Sequence, residues 1–324
     1  MKKLFILLLM MFAGTSLFAG NDATSSPASV PEKTLKVLMI GNSFSICVGE
    51  YLPQITDSAP GCKVDLTSAY IGGCSLQTHA QHLEAAEKDP SLKPYRISRW
   101  SDKAHKSYAG NVNTLLKEQK WDIITIQQAS HYSWRFETFE PYVEKLASYI
   151  RKHAPDAEIV IQQTWAYRLD DGRLKSWNLT QQQMYEKLNQ SYAALAQKYQ
   201  WRVIPMGLAV ETSRRRSESK FEVPSAEMMK SLIYPDLPRQ SADVVGIYNW
   251  RMDSKSGNMV ISKDSFHLNY RGKYMQAALW FAFLFNRKTS EIGFIPEKMN
   301  RADALFLQKC AQEALDTYQQ VAKP

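Results

Sequence analysis

Leu35-Lys-Val-Leu-Met-Ile-Gly-Asn-Ser-Phe-Ser45 decides how this chain folds. The run Leu35–Ile40 is short and nearly all apolar, so it reads as a strand buried on both faces of a sheet. It stops at Gly41, and Asn42-Ser43-Phe44-Ser45 turns the chain towards a helix. The same unit recurs downstream. Lys63–Ile71 ends in Gly72-Gly73, Asp122–Ile126 in Gln127-Gln128, Ala157–Ile161 in Gln162-Gln163, and Trp201–Ile204 in Pro205. Between these runs, Ser75–Lys88, Pro141–His153 and Thr180–Tyr199 place apolar residues at helical spacing. Tyr270–Phe285 is apolar on nearly every side, which predicts a buried helix with Asn269 as its N-cap. Short apolar strands alternating with helices predict an α/β fold: a flavodoxin-like three-layer α/β/α sandwich on a five-stranded, mostly parallel sheet.

The flanks read differently. Lys2 and Lys3 precede the apolar run Leu4–Phe12 and small residues up to Gly20, the order of a secretory signal peptide over residues 1–20. The alternative, a membrane anchor, needs about 20 apolar residues. Residues 21–33 have the small, polar, proline-bearing composition of a linker, leaving 34–324 as one domain. Two stretches interrupt the strand-helix rhythm. Residues 88–110 read as irregular and are rich in Lys, Arg and aromatic residues. Residues 211–263 read as a long insertion in which Val244–Met252 and Asn258–Ile261 are candidates for a hairpin. This organisation predicts an exported protein, periplasmic or extracellular, with no stable membrane insertion after cleavage.

The formal charge is +8, of which Lys2 and Lys3 are the only contributors before residue 21. A weakly basic chain whose dense cluster, Arg214-Arg215-Arg216, is interspersed with Glu211, Glu218 and Glu222 lacks the long basic stripe of a nucleic-acid surface. That cluster reads as a solvated loop, with an acidic glycan as the other reading. Cys47, Cys62, Cys74 and Cys310 allow three full disulfide pairings, and their spacing selects none. No Cys or His spacing forms a metal-ligand set.

Sites in open α/β sheets form beyond the carboxyl ends of the strands. There the sequence places Ser43, Gly72-Gly73, Gln127-Gln128 and Gln162-Gln163, and just before the last buried helix comes Asp264-Ser-Phe-His267. A serine hydroxyl becomes a nucleophile when a histidine takes its proton and a carboxylate orients that histidine. Asp264 and His267 are three apart, so one turn presents both to the same pocket. Asp243 and Asp253 are the competing acids. Backbone N–H groups of Ser43 and Gly73, with a side-chain amide from Gln127 or Gln128, are candidates to hold the developing oxyanion. Read alone, Ser43 is a helix N-cap, Gly72-Gly73 a strand-end turn, and Gln127 a strut of the sheet end. Asp264 and His267 together turn the serine towards catalysis. His79, His82 and His131 read as structural or exposed.

Taken in order, these blocks resemble the SGNH/GDSL hydrolase superfamily, in its exported carbohydrate-esterase-like branch. The strand-Gly-Asn-Ser-Phe-Ser start is similar to its first block, Gly72-Gly73 to its second, and Asp264-Ser-Phe-His267-Leu-Asn to its last. The resemblance runs from about residue 35 to residue 286. It implies the SGNH hydrolase fold, no cofactor, and hydrolysis of esters, with Ser43 as nucleophile, His267 as general base, Asp264 as its orienter and Gly73 as an oxyanion donor. The third block departs. Where the family has Gly-x-Asn-Asp, this chain has Gln127-Gln128-Ala129-Ser130-His131, which puts the third oxyanion donor in question.

Among eight tryptophans, Trp134, Trp165, Trp177 and Trp250 fall on predicted loops or in the insertion. Aromatic faces stack on sugars, which makes Trp134, Trp165 and Trp250 candidates for substrate binding. The other reading is that they are buried anchors. Asn178-Leu-Thr180 fits a glycosylation pattern. The expected function is an exported serine esterase removing acyl groups, acetyl among them, from a carbohydrate or a small-molecule ester. A lipid or thioester acyl hydrolase and a non-catalytic glycan-binding protein are the alternatives. The sequence does not predict an oligomeric state.

Overall fold

In the computed structural model, residues 32–101 and 104–321 are described; the expected leader, and the linker up to residue 31, lie outside them. The chain begins with β1 (Lys33–Gly41), two short helices α1 (Ser43–Ile46) and α2 (Leu52–Asp57), β2 (Cys62–Tyr70) and α3 (Leu76–Lys88). A hairpin follows, β3 (Tyr95–Ser101) and β4 (Ala104–Gly110), then α4 (Val112–Glu118), β5 (Ile123–Ile126), α5 (Tyr142–His153) and β6 (Glu158–Gln162). The second half holds α6 (Gly172–Ser176), α7 (Gln181–Tyr199), β7 (Val203–Ile204), α8 (Met206–Arg216) and α9 (Ala226–Ser231). It closes with the hairpin β8 (Val245–Met252) and β9 (Met259–Leu268), then α10 (Tyr270–Phe285) and α11 (Arg301–Val321).

The main sheet runs β4-β3-β2-β1-β5-β6-β7. The expectation of five strands is corrected to seven. The five expected runs are mutually parallel, and β3 and β4 extend the β2 edge in antiparallel sense. The residues read as irregular over 88–110 therefore contain this hairpin. Strand β4 gives no apolar alternation because His105 to Ala109 are all exposed.

Strand β1 shows why the fold has three layers. Val37 and Met39 point into one apolar core, shared with α2, α8, α10 and α11. Leu38 and Ile40 point into the other, shared with α3, α4, α5 and α7. This is the period-two alternation of a strand covered on both faces. Helix α10, apolar all round, packs against α11, α8 and α2, and Asn269 caps it by accepting from the N–H groups of Arg271 and Gly272. The insertion begins later than residue 211, because α8 continues to Arg216. It ends in β9, which carries Asp264 and His267 back to the sheet. Among the described residues, no helix is long and apolar enough to cross a membrane.

Candidate active site

Asn42 fixes the turn after β1. Its Oδ1 accepts the Phe44 N–H (3.0 Å) and its Nδ2 donates to the Cys74 carbonyl (3.1 Å), so the loops after β1 and β2 are stapled together. Ser43, the first residue of α1, is half-buried. Its Oγ lies 2.8 Å from His267 Nε2, and His267 Nδ1 lies 2.7 Å from Asp264 Oδ2. The other carboxylate oxygen accepts the N–H groups of Phe266 and His267, both at 3.0 Å. Burial pushes the Asp264 carboxyl up, but the imidazole and these two N–H donors outweigh it and bring it down to about 2. The competing acids are engaged elsewhere. Asp243 pairs with Arg214 and accepts the Val245 N–H, and Asp253 accepts from Ser256 in the β8–β9 turn.

Asp264 and His267 sit on a strand, where residues three apart normally face opposite sides. A bulge resolves this. Asp264 pairs with Ile247 and Leu268 with Val245, so Ser265, Phe266 and His267 lie opposite Gly246 alone. The expected single turn is thus a bulge, which re-aims side chains as bulges do beside sites. The loop after β6 clamps it. The Trp165 indole donates to the Phe266 carbonyl (2.8 Å), the Arg168 N–H to the Ser265 carbonyl (2.8 Å), and the Ser265 hydroxyl to Asp171 (2.8 Å). Arg168 is fully buried, bidentate to Asp170, and Asp170 also accepts the Tyr248 hydroxyl. Gly246 has φ +84°, and a Cβ there would come 2.8 Å from the Arg168 guanidinium. Sequence reading missed this buried charge network. Its visible signal is Arg168-Leu-Asp-Asp171 in the loop that follows β6.

Of the expected oxyanion donors, Gly73 is exposed with φ +62°. Among the described residues, the N–H groups of Ser43 and Gly73 donate to no protein acceptor. Gln128 is a strut, which corrects its place as the alternative donor. Its Oε1 accepts the N–H groups of Leu76 and Ala129, and its Nε2 donates to Thr138. Gln127 is buried, with neither amide atom paired.

Two further glutamines bear on the site: Gln162, placed at a strand end by the sequence but given no role there, and Gln276, which sequence reading missed. Gln162 Nε2 (2.8 Å) and Gln276 Nε2 (2.9 Å) both donate to the Phe44 carbonyl, directly beyond Ser43. The Cys47 thiol donates to Gln276 Oε1 (2.9 Å) and sets that amide's orientation. A glutamine within the otherwise apolar run Met275–Phe285 of α10 was the available signal. Replacing Gln276 by leucine should lower kcat about tenfold with little change in KM, since the lost bond positions the nucleophile rather than the substrate. Equal kcat in both proteins would rule this out.

The tryptophans divide. Trp165 is 0% exposed and stacks on Phe44 at 4.1 Å. It belongs to the core, which corrects its expected role in substrate binding. Trp250 pairs with Ile261 and shares a face with Tyr248 and Lys263, whereas Asp264 pairs with Ile247 on the opposite face. Trp250 therefore faces away from the triad side, another correction. Trp134 is half-buried and linked to the site by rings: Trp134–Trp177, Trp177–Tyr167 and Tyr167–Phe266 each at 5.6 Å, then Phe266–His267 at 4.0 Å. His79 is buried against Tyr95. His131 is half-buried beside Tyr132. Asn178 is exposed, and Thr180 caps α7. The arginines of the cluster are all paired: Arg214 with Asp243, and Arg215 and Arg216 both with Glu313. All four cysteines are free thiols. Among the described residues, no group of His, Cys, Asp and Glu is arranged to hold a metal.

A family model described as a domain of unknown function, DUF4886, matches residues 36–224, more than half of the chain. The chain belongs to the DUF4886 family. The match includes Ser43 but ends before Asp264. A DUF4886 family protein from Bacteroides uniformis is similar to this chain with a TM-score of 0.68 at 24% identity, over 87% of this chain and 95% of that one. The fold is thus shared within DUF4886. An acetylxylan esterase from Geobacillus stearothermophilus is similar at TM-score 0.40 and 13% identity, over 82% of this chain and 97% of that one. A member of the lipolytic G-D-S-L family from Veillonella parvula is similar at 0.39 and 12%, over 78% and 99%. The resemblance to the SGNH/GDSL superfamily is met again among these structures, at scores too low to bear on the chemistry of this DUF4886 site. No curated protein matches the chain.

Proposed function

We propose that this protein is a serine ester hydrolase of the SGNH/GDSL type. The observation that carries the reading is the unbroken chain from Ser43 Oγ through His267 Nε2 and Nδ1 to Asp264 Oδ2, with separations of 2.8 and 2.7 Å. His267 Nε2 takes the hydroxyl proton as Ser43 Oγ attacks the ester carbonyl carbon. Asp264, kept ionised, fixes the imidazole tautomer and stabilises the imidazolium. The carbonyl oxygen gains negative charge and is met by the N–H groups of Ser43 and Gly73. Collapse breaks the C–O bond, and His267 returns the proton to the departing alcohol. Water, deprotonated by His267, then attacks the acyl-enzyme and releases the carboxylic acid and free Ser43.

The acyl group, acetyl in the simplest case, is proposed to sit on a carbohydrate. The half-buried Trp134 and Trp177, joined to the triad through Tyr167 and Phe266, support this, because partly exposed aromatic faces stack on sugars, and the leader-like first 20 residues support an exported location. A fluorophosphonate probe tests the mechanism. It is expected to modify Ser43 in the wild type, read by mass spectrometry, and to leave His267→Ala unmodified. Folded wild-type protein that resists the probe yet retains glycans would overturn the hydrolase in favour of a binding protein.

A further inference from the structure

The outer edge of the sheet has a composition unlike the rest of the surface. Residues 88–120 contain eight Lys and Arg against three Asp and Glu, a net +5 in a chain of net +8. Arg99 is spent on Glu118. Lys93, Arg96 and Lys106 are exposed and enter no ion pair among the described residues. This contrasts with the arginine cluster at 214–216, each member of which is paired with Asp243 or Glu313.

The position of these cations ties them to the catalytic end. Gly41, Tyr70 and Arg96 lie in one row across β1, β2 and β3, and the Arg96 guanidinium sits 4.4 Å over the Tyr70 ring. Tyr70 closes β2, just before Gly72-Gly73. The β3–β4 edge therefore stands two to three strand spacings, roughly 10–15 Å, from the nucleophile turn. A shallow groove of about 280 Å³ runs there, lined by Lys93, Pro94, Arg96, Ser107 and Tyr108 among others. Tyr108 is 45% exposed, and its hydroxyl accepts from Arg99 Nε (3.0 Å), whose guanidinium lies 5.8 Å from the ring centroid and holds the half-exposed ring at the edge. In register, Arg96 pairs with Ala109 and Arg99 with Lys106. Lys106 and Tyr108 thus flank the edge on one face and Arg96 on the other.

We infer that this edge binds a carboxylate-bearing polysaccharide, as a distal subsite for the glycan whose ester reaches Ser43. The glycan wraps the free edge at β4, so that its uronate carboxylates meet Arg96 on one face and Lys106 on the other, with Lys93 at the groove and a sugar ring on Tyr108. Three cations and one ring on a short edge match a few uronate units, whereas a nucleic-acid surface calls for a longer basic stripe with interleaved aromatics. The link to Ser43 rests on the ester-hydrolase reading; the binding does not.

The test is affinity electrophoresis of the full chain through gels containing polygalacturonate, neutral xylan or duplex DNA. The proteins are wild type, the triple variant Lys93→Gln/Arg96→Gln/Lys106→Gln, and the control Arg215→Gln/Arg216→Gln. The expected result is retention of wild type and control by polygalacturonate, retention weakened at least about tenfold in the triple variant, and none by xylan. Salt should weaken the binding, and turnover of 4-nitrophenyl acetate should be equal in all three. The inference is overturned if wild type is not retained by polygalacturonate, or if the triple variant is retained as strongly. Xylan or DNA retaining the wild type as well as polygalacturonate does would also overturn it. Retention through these three residues without any esterase turnover would sink the hydrolase and leave the binding edge standing.

Discussion

Replacing Ser43 by alanine should lower turnover of 4-nitrophenyl acetate by about 10⁴- to 10⁶-fold. The change removes one hydroxyl whose partner is His267 Nε2, so the thermal transition should barely move. Asp264→Asn should cost about 10⁴-fold, because an amide no longer holds the imidazole in the tautomer that accepts the serine proton. The asparagine carbonyl can still accept the N–H groups of Phe266 and His267, so the bulge should survive. The two substitutions combined should cost no more than Ser43→Ala alone, since both disable one unit. A double variant whose losses multiply would show the residues acting separately and break the relay. Activity persisting in Ser43→Ala would remove the serine from the mechanism.

Stability should fall steeply in mild acid because of a histidine far from the chemistry. His79 is fully buried, its Nδ1 3.0 Å from the Tyr95 hydroxyl. Burial, helped by His82, lowers its pKa from 6.5 to about 3. Above pH 6.5 the ring is neutral in both states and pH has no hold on it. Below that, the unfolded chain takes a proton that the folded chain refuses until about pH 3. Stability therefore drops by roughly 1.4 kcal/mol per pH unit, on the order of 4 kcal/mol across the window. Asp264, whose carboxyl is lowered, adds to the loss only below about pH 4. The half-buried His82, His131 and His153 are also lowered by burial. The check is therefore the difference in slope between wild type and His79→Gln in urea unfolding at pH 7, 6 and 5. Parallel slopes would reject the assignment, whatever the absolute stability of the variant.

How much of this was legible depends on distance along the chain. The five parallel strands and the helices from Ser75, Pro141, Thr180 and Tyr270 show themselves in local periodicity and caps. The β3–β4 hairpin does not, because an edge strand with no covering layer needs no apolar alternation. The pairing of Asp264 with His267 is visible as a spacing. Its geometry is not, because the bulge depends on Gly246 passing beneath Arg168, a contact between segments about 80 residues apart. Trp165 shows the same limit. Its residue type advertised a sugar platform, while its burial follows from Phe44 and Phe266, which only the folded chain brings to it.

The nucleophile and its base are separated by 224 positions, and the family match covers the first without the second. During synthesis, Ser43 leaves the ribosome early and folds into a sheet that can form around β1, β2 and β5. It remains an ordinary alcohol until β9 arrives some two hundred residues later. Every chain stalled or clipped before that strand is inert towards esters, so on the proposed mechanism the arrival of β9 is itself the switch that arms the serine.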